Sequence, residues 1–91
     1  MDKNVWIFNG QNSRFPSGVF TSKELADIWI KKHRLTGVLT LYPLDQGTYD
    51  WAIEKELFTP KKEHEFSSAF IEKFSSASQE HHHYLDGLIE I

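Results

Sequence analysis

The run Val5-Trp6-Ile7-Phe8, which is followed by Asn9-Gly10, is the segment from which the fold of this 91-residue chain can be predicted. Four consecutive β-branched and aromatic residues ahead of a turn pair are typical of a short strand that is buried on both faces. We therefore predict a central strand from Lys3 to Phe8 and read the rest of the chain outward from it.

A helix is predicted after a long loop over residues 9–21. Thr21-Ser22-Lys23-Glu24 matches a capping box with Thr21 as the cap. The helix should end near Arg34, with Gly37 as a left-handed stop. The spacing of its apolar residues predicts a buried stripe of Leu25, Ile28 and Trp29. On the solvent-exposed side, Asp27 and Lys31 are expected to form an i,i+4 ion pair.

A second strand over residues 37–44 completes a strand–helix–strand order, which predicts a right-handed parallel crossover. Two further helices are expected, one from Thr48 to about Leu57 and one from about Ser67 to about Ser78.

The Asp86-Gly87 pair lies between two strand-like runs, residues 81–85 and 88–91, and predicts a C-terminal strand or hairpin. The predicted fold class is therefore α+β: a small mixed sheet of three to four strands with a β-α-β start and two further helices. At this length the chain is expected to form one domain over residues 1–91.

Composition and charge exclude several classes of protein. The absence of cysteine excludes disulfide scaffolds, cysteine-ligated zinc, iron–sulfur sites and a thiol nucleophile. A formal charge of -3 argues against a nucleic-acid or anionic-membrane surface. No signal peptide or spanning segment is visible, so a cytoplasmic location is expected.

Aromatic residues make up 14% of the chain, and one of them does not fit a buried stripe. On the second predicted helix, Trp51 points away from the face that carries Tyr49. An exposed indole is a common anchor in protein interfaces, so Tyr49, Asp50, Trp51 and Lys55 are the candidate partner-binding residues. The alternative is that a neighbouring element covers Trp51.

The 9–21 loop is the candidate for a ligand site. In a parallel arrangement it would join the carboxyl end of the first strand to the amino end of the helix, where free amides favour anions. Its candidate ligand-binding residues are Asn9, Arg14, Ser17 and Thr21. The chain has no glycine-rich phosphate-binding motif, so a purely structural loop is the alternative.

The run His81-His82-His83 is the only concentration of metal-ligand side chains that we single out. On an extended strand, His81 and His83 would share one face. Two imidazoles do not close a tetrahedral site, so no metal is predicted and these two residues are kept as the alternative. The same edge strand could instead pair with a second copy of the chain to form a homodimer.

Several short segments together resemble a small bacterial family that is classed as a domain of unknown function. The segments are Phe8-Asn9-Gly10, residues 14–20 (RFPSGVF), residues 37–40 (GVLT), Tyr42-Pro43, residues 49–52 (YDWA), residues 58–61 (FTPK) and residues 76–81 (SASQEH). The resemblance spans residues 5 to about 87. It implies no activity, cofactor or catalytic residue.

The sequence favours a non-enzymatic protein-interaction module of a bacterial cytoplasmic protein. Its expected partner is another protein, with no nucleic acid, no membrane, no cofactor and no catalytic residues. The alternative function is a small-ligand or anion-binding domain that uses the 9–21 loop.

Overall fold

The structure is a computed structural model that describes residues 3–91. It contains five strands, three α-helices and one 3₁₀ turn. They are β1 (Asn4–Gly10), β2 (Gly18–Phe20), α1 (Lys23–His33), β3 (Gly37–Pro43), α2 (Thr48–Glu54), the 3₁₀ turn (Glu63–Phe66), α3 (Ser68–Ile71), β4 (His81–Leu85) and β5 (Leu88–Ile89). The chain divides into two compact units: unit 1 is residues 3–44 with 79–91, and unit 2 is residues 45–78.

All five strands belong to one sheet in unit 1, in the order β2-β1-β3-β4-β5. Every neighbouring pair is antiparallel. The α+β class is confirmed, whereas the predicted mixed sheet of three to four strands is replaced by five antiparallel strands.

The predicted parallel crossover between the first strand and the strand after α1 is wrong, because β1 and β3 are antiparallel. The reason is β2, which folds back on β1 and reverses the chain before α1 begins. Since β2 and β3 are both antiparallel to β1, they are parallel to each other with β1 between them. The helix therefore connects β2 to β3.

The helix α1 begins and ends at residues other than those predicted. Ser22, not Thr21, is the N-cap, and its Oγ accepts a hydrogen bond from the Leu25 amide at 3.2 Å. At the other end Arg34, not Gly37, adopts the left-handed conformation with φ 53°. A cationic side chain at this end also complements the helix dipole.

The buried stripe of α1 differs from the predicted one. Ala26 and Ile30 are fully buried, whereas Leu25 and Ile28 are 54% and 63% exposed. Trp29 is partly buried against the core, as predicted. The small Ala26 side chain lets the helix approach the aromatic rings of the sheet closely, which the bulkier residues at 25 and 28 would prevent.

The core of unit 1 lies between α1 and one face of the sheet, here called the inner face. It consists of Trp6, Phe8, Ala26, Ile30, Leu39 and Tyr84. Along β1 the buried residues Trp6 and Phe8 alternate with the half-buried Val5 and Ile7. The strand lies inside the sheet as predicted, but only one of its faces is fully buried.

The C-terminal hairpin is confirmed. Asp86 and Gly87 form its two-residue turn with φ of 49° and 85°, which matches the preference of Asp-Gly for a type I′ turn. The turn packs against the end of α1: the Gly87 amide donates to the Leu35 carbonyl at 2.9 Å. A Cβ at Gly87 would lie 3.0 Å from the Arg34 Cα. Both this close approach and the positive φ favour glycine at the position.

Unit 2 is built around an aromatic cluster in which Tyr49, Phe58, Phe70 and Phe74 lie with ring centroids 5.1 to 6.3 Å apart. The Glu65 carboxylate orders the adjoining 3₁₀ turn by accepting hydrogen bonds from the backbone amides at 62 and 61, at 2.8 and 2.9 Å. The same hydrogen bonds lower the pKa of its carboxyl group.

Both helices of unit 2 are shorter than predicted. The helix α2 ends at Glu54 rather than Leu57, and Glu56 has a left-handed φ of 61°. The helix α3 covers four residues and ends at Ile71 rather than Ser78. Beyond it the serine-rich segment bonds to itself, as the Ser78 amide donates to the Ser76 Oγ, and such local bonds compete with helix continuation.

Candidate interaction face of the sheet

The sheet has a second face, which no helix of unit 1 covers, and we call it the outer face. Strand alternation assigns twelve residues to it, since their neighbours in each strand point into the core. They are Val5, Ile7 and Asn9 of β1, Val19 of β2, Val38, Thr40 and Tyr42 of β3, His81, His83 and Leu85 of β4, and Leu88 and Glu90 of the terminal segment.

The outer face is poor in charge and exposes large apolar side chains. Charged residues are 25% of the chain, so about three would be expected among twelve positions, yet only Glu90 is formally charged. Val19, Leu85 and Leu88 are 63%, 54% and 67% exposed. Depletion of charge and exposure of apolar side chains are typical of the central part of a protein interface.

A depression at one end of the outer face has a volume of about 330 Å³. Asn9, Val38, His83, Leu85 and Glu90 contribute outer-face side chains to its lining. It combines an apolar floor with hydrogen-bonding groups. Such a cavity is large enough to accept one or two side chains of a partner.

His81 and His83 lie side by side on the outer face, as the strand alternation predicts. Their ring centroids are 5.6 Å apart with an interplanar angle of 80°. The Nδ1 of His81 lies 2.7 Å from the Gln79 carbonyl oxygen. Within residues 3–91, no group of three or more metal-ligating side chains is arranged to hold a metal ion.

The inner face of β4 holds a polar link to α1. The Tyr84 hydroxyl donates to Asp27 Oδ1 at 3.0 Å, and Lys31 Nζ lies 3.0 Å from Asp27 Oδ2, which confirms the predicted i,i+4 pair. Burial and the hydrogen bond to Asp27 raise the pKa of Tyr84 to about 12. Burial by itself would raise the pKa of Asp27, but hydrogen bonds from Lys31 and Tyr84 outweigh it and lower that pKa.

A larger cavity of about 590 Å³ lies between the 9–21 loop and α1. Phe8, Trp29 and His33 form its aromatic walls, and Gln11, Ser13, Ser17 and Thr36 add polar groups. His33 packs edge-on against Trp29 with ring centroids 5.8 Å apart. The cavity lies within the size range of small-molecule sites.

The structure does not bring the four predicted ligand residues together. Ser17 lines this cavity, and Asn9 steadies the loop by donating to the Ser13 carbonyl at 3.1 Å. Arg14 is exposed and lies over the Phe15 ring. Thr21 lies beyond β2, next to the N-cap of α1, whereas the cavity is at the carboxyl end of that helix. The cavity therefore lacks the amides of the helix N-terminus on which the predicted anion site depended.

The four predicted partner-binding residues have different surroundings within unit 2. Tyr49 is buried, and its hydroxyl donates to the Glu65 carbonyl at 2.8 Å. Trp51 is half-buried, while Asp50 and Lys55 are exposed. Tyr49 thus serves the aromatic cluster, and only the other three contribute to the surface.

Sequence reasoning missed the apolar residues of the outer face. In His81–Leu85 the strand alternation was a usable signal, and the structure follows it: Tyr84 is buried and its neighbours are exposed. The sequence indicates a short extended piece at Gly18-Val19-Phe20, which is β2, but three residues do not show on which face of the sheet Val19 lies.

The fold and its surface define a small α+β domain with one helix on one face of an antiparallel sheet. The chain belongs to the family described as Domain of unknown function (DUF7710), whose match covers residues 5–90. This confirms the family class that the sequence segments indicated. No curated protein and no solved structure matches the chain. Of the helices within residues 3–91, none has the length and hydrophobicity needed to cross a bilayer.

Proposed function

We propose that this chain is a non-enzymatic protein-interaction domain of a bacterial cytoplasmic protein, and that it binds its partner through the outer face of the sheet. The observation that supports the proposal is the charge-poor composition of that face together with the exposure of Val19, Leu85 and Leu88. Burying three such side chains on association would contribute several kcal/mol, at roughly 1.5–3 kcal/mol for each fully buried side chain.

The partner is expected to present a complementary apolar surface, because the outer face offers few charges for an ion pair. The depression beside His83 is the natural place for an anchoring side chain. The exposed Asp50 and Lys55 and the half-buried Trp51 of unit 2 remain a second candidate contact.

The test is photo-crosslinking in cells of the source organism, with a photoreactive amino acid at Leu88. The matched control carries the same group at Leu25, which is similarly exposed but lies on α1. We expect a crosslinked product with a different protein from position 88 and none from position 25. The proposal fails if position 88 gives no product or if both positions give the same products. Products that contain only this chain would replace it with the homodimer.

A second candidate function is binding of a small molecule in the cavity beside Trp29 and His33. Its size favours this role, and its aromatic walls favour a planar ring as the ligand.

A thermal-shift screen separates these ligand classes. A ligand at 100 times its dissociation constant adds about 2.7 kcal/mol to stability. We expect shifts with planar heterocycles and none with sugar phosphates, and Ser17→Phe, which fills the cavity, should abolish them. Shifts with phosphates alone, or shifts that survive Ser17→Phe, would exclude this cavity as the site.

A further inference from the structure

His81 and His83 have the geometry of a chelating pair. They are separated by one residue on β4, both are exposed, and their rings contact each other edge to face. Side chains at i and i+2 of a strand project from the same face. No rotation of the backbone is therefore needed to direct both imidazoles at one ion.

The hydrogen bond of His81 fixes which of its ring nitrogens is available. The Gln79 carbonyl oxygen only accepts, so the Nδ1 that lies 2.7 Å from it must carry the proton. In the neutral ring the lone pair is then on Nε2, which points away from the backbone. An Nδ1–H donated to a backbone carbonyl is the usual outer-shell support of a metal-binding histidine.

The surroundings of the pair also favour a cation. Thr40 and Val38 lie opposite His81 and His83 on β3, so no positive charge is adjacent across the strand. On the other side the Glu90 amide donates to the His83 carbonyl at 2.8 Å, which places Glu90 opposite His83 on the same face. The negative charge of Glu90 on the neighbouring segment favours a cation at this face.

We propose that His81 and His83 form a two-ligand surface site for a divalent transition-metal ion of the Zn²⁺, Ni²⁺ and Cu²⁺ class. Imidazole nitrogen suits these ions. Since no third side chain in residues 3–91 completes the site, its other coordination positions are open to water or to an external ligand. The site stands independently of the protein-interaction function proposed above.

Calorimetric titration with Ni²⁺ at pH 7.5 tests the site. We expect His81→Gln and His83→Gln each to weaken Ni²⁺ binding at least tenfold. His82→Gln is the matched control, because His82 lies on the inner face with its Nε2 3.0 Å from Glu80 and its ring 5.9 Å from Trp6. Exposed His64 in unit 2 gives a second control. Both controls should bind within twofold of the unchanged chain.

The proposal is overturned if the unchanged chain binds no Ni²⁺ or if His82→Gln or His64→Gln weakens binding as much as the two test variants. If a variant does not fold, NMR of the unchanged chain with Cu²⁺ still tests the site. Substoichiometric Cu²⁺ should broaden the amide NMR signals of residues 81 and 83 and of the facing Thr40 and Val38 first. Broadening centred on His33 or His64, or spread evenly over the chain, contradicts the site.

Discussion

Tyr84 joins the sheet to α1 through a partly buried hydrogen bond from its hydroxyl to Asp27. Tyr84→Phe removes the hydroxyl and leaves Asp27 with Lys31 as its remaining partner. A hydrogen bond to a charged acceptor contributes roughly 1.5–3 kcal/mol, so we expect the variant to lose about 1.5 kcal/mol at pH 7. Urea unfolding of the two proteins measures this difference.

The same pair predicts a pH dependence at both extremes. The pKa of Tyr84 is raised in the folded state, so its stabilising contribution is complete below about pH 10 and is lost as the pH rises toward 12. The pKa of Asp27 is lowered, so its contribution is present above its unfolded pKa and is lost as the pH falls through the folded value. Unfolding at pH 9 and pH 11.5 should show a smaller loss in Tyr84→Phe than in the unchanged chain. An equal loss in both would show that folding does not raise the pKa of Tyr84.

Gly37 is required by close contact between strands. A Cβ on Gly37 would clash with the Asn9 carbonyl oxygen and would lie 2.7 Å from the Phe8 ring. Gly37→Ala should therefore destabilise the chain by more than about 2 kcal/mol, because backbone and a core ring must shift. Gly10, its partner across the strands, is the control, since a Cβ there meets nothing closer than 3.7 Å. Thermal denaturation should rank Gly37→Ala well below Gly10→Ala, and equal melting temperatures would refute the strand register.

At the scale of elements, the buried face of α1 should contribute more to stability than its exposed face. Ile30 is fully buried, so Ile30→Ala should cost about 2–5 kcal/mol. Ile28 is 63% exposed, and Ile28→Ala should be within about 0.5 kcal/mol of neutral. The two variants delete the same atoms from the same helix. If Ile28→Ala proves the more costly, the stripe predicted from the sequence is the correct one.

The elements that the sequence predicted well are those set by local chemistry. The Asp86-Gly87 turn needs only the left-handed preference of its own two residues, and the Asp27–Lys31 pair needs only helical spacing. The misplaced features depend on distant contacts. Ala26, for example, is buried because the sheet packs against that side of α1.

At the scale of the whole molecule, the three-residue strand β2 determines the topology. The short strand β2 reverses the chain, so α1 connects two parallel strands that do not pair with each other. A segment of three residues is too short for its alternation to be recognised in the sequence. The position of residues 10–17 near the carboxyl end of α1 follows from that reversal, and for this reason the predicted anion site does not assemble.

The two faces of the sheet differ in burial and in composition. Its inner face carries the core residues Trp6, Phe8, Leu39 and Tyr84 and packs against α1. Its outer face carries exposed apolar residues that the core does not use. Of this candidate site, the sequence could predict the pairing of His81 and His83 on one face, because that follows from strand alternation alone. The contributions of β2 and β5 could not be predicted before the strand order was known.

The most direct test of the outer face compares two double variants in binding to the partner captured at position 88. Leu85→Lys with Leu88→Lys changes the outer face, and Leu25→Lys with Ile28→Lys changes the exposed side of α1. All four residues are at least half exposed, so both variants should keep the melting temperature of the unchanged chain. We expect the outer-face variant to bind at least tenfold more weakly and the α1 variant to bind unchanged. Full affinity in the outer-face variant, or loss confined to the α1 variant, would contradict the assignment of the interaction to the outer face.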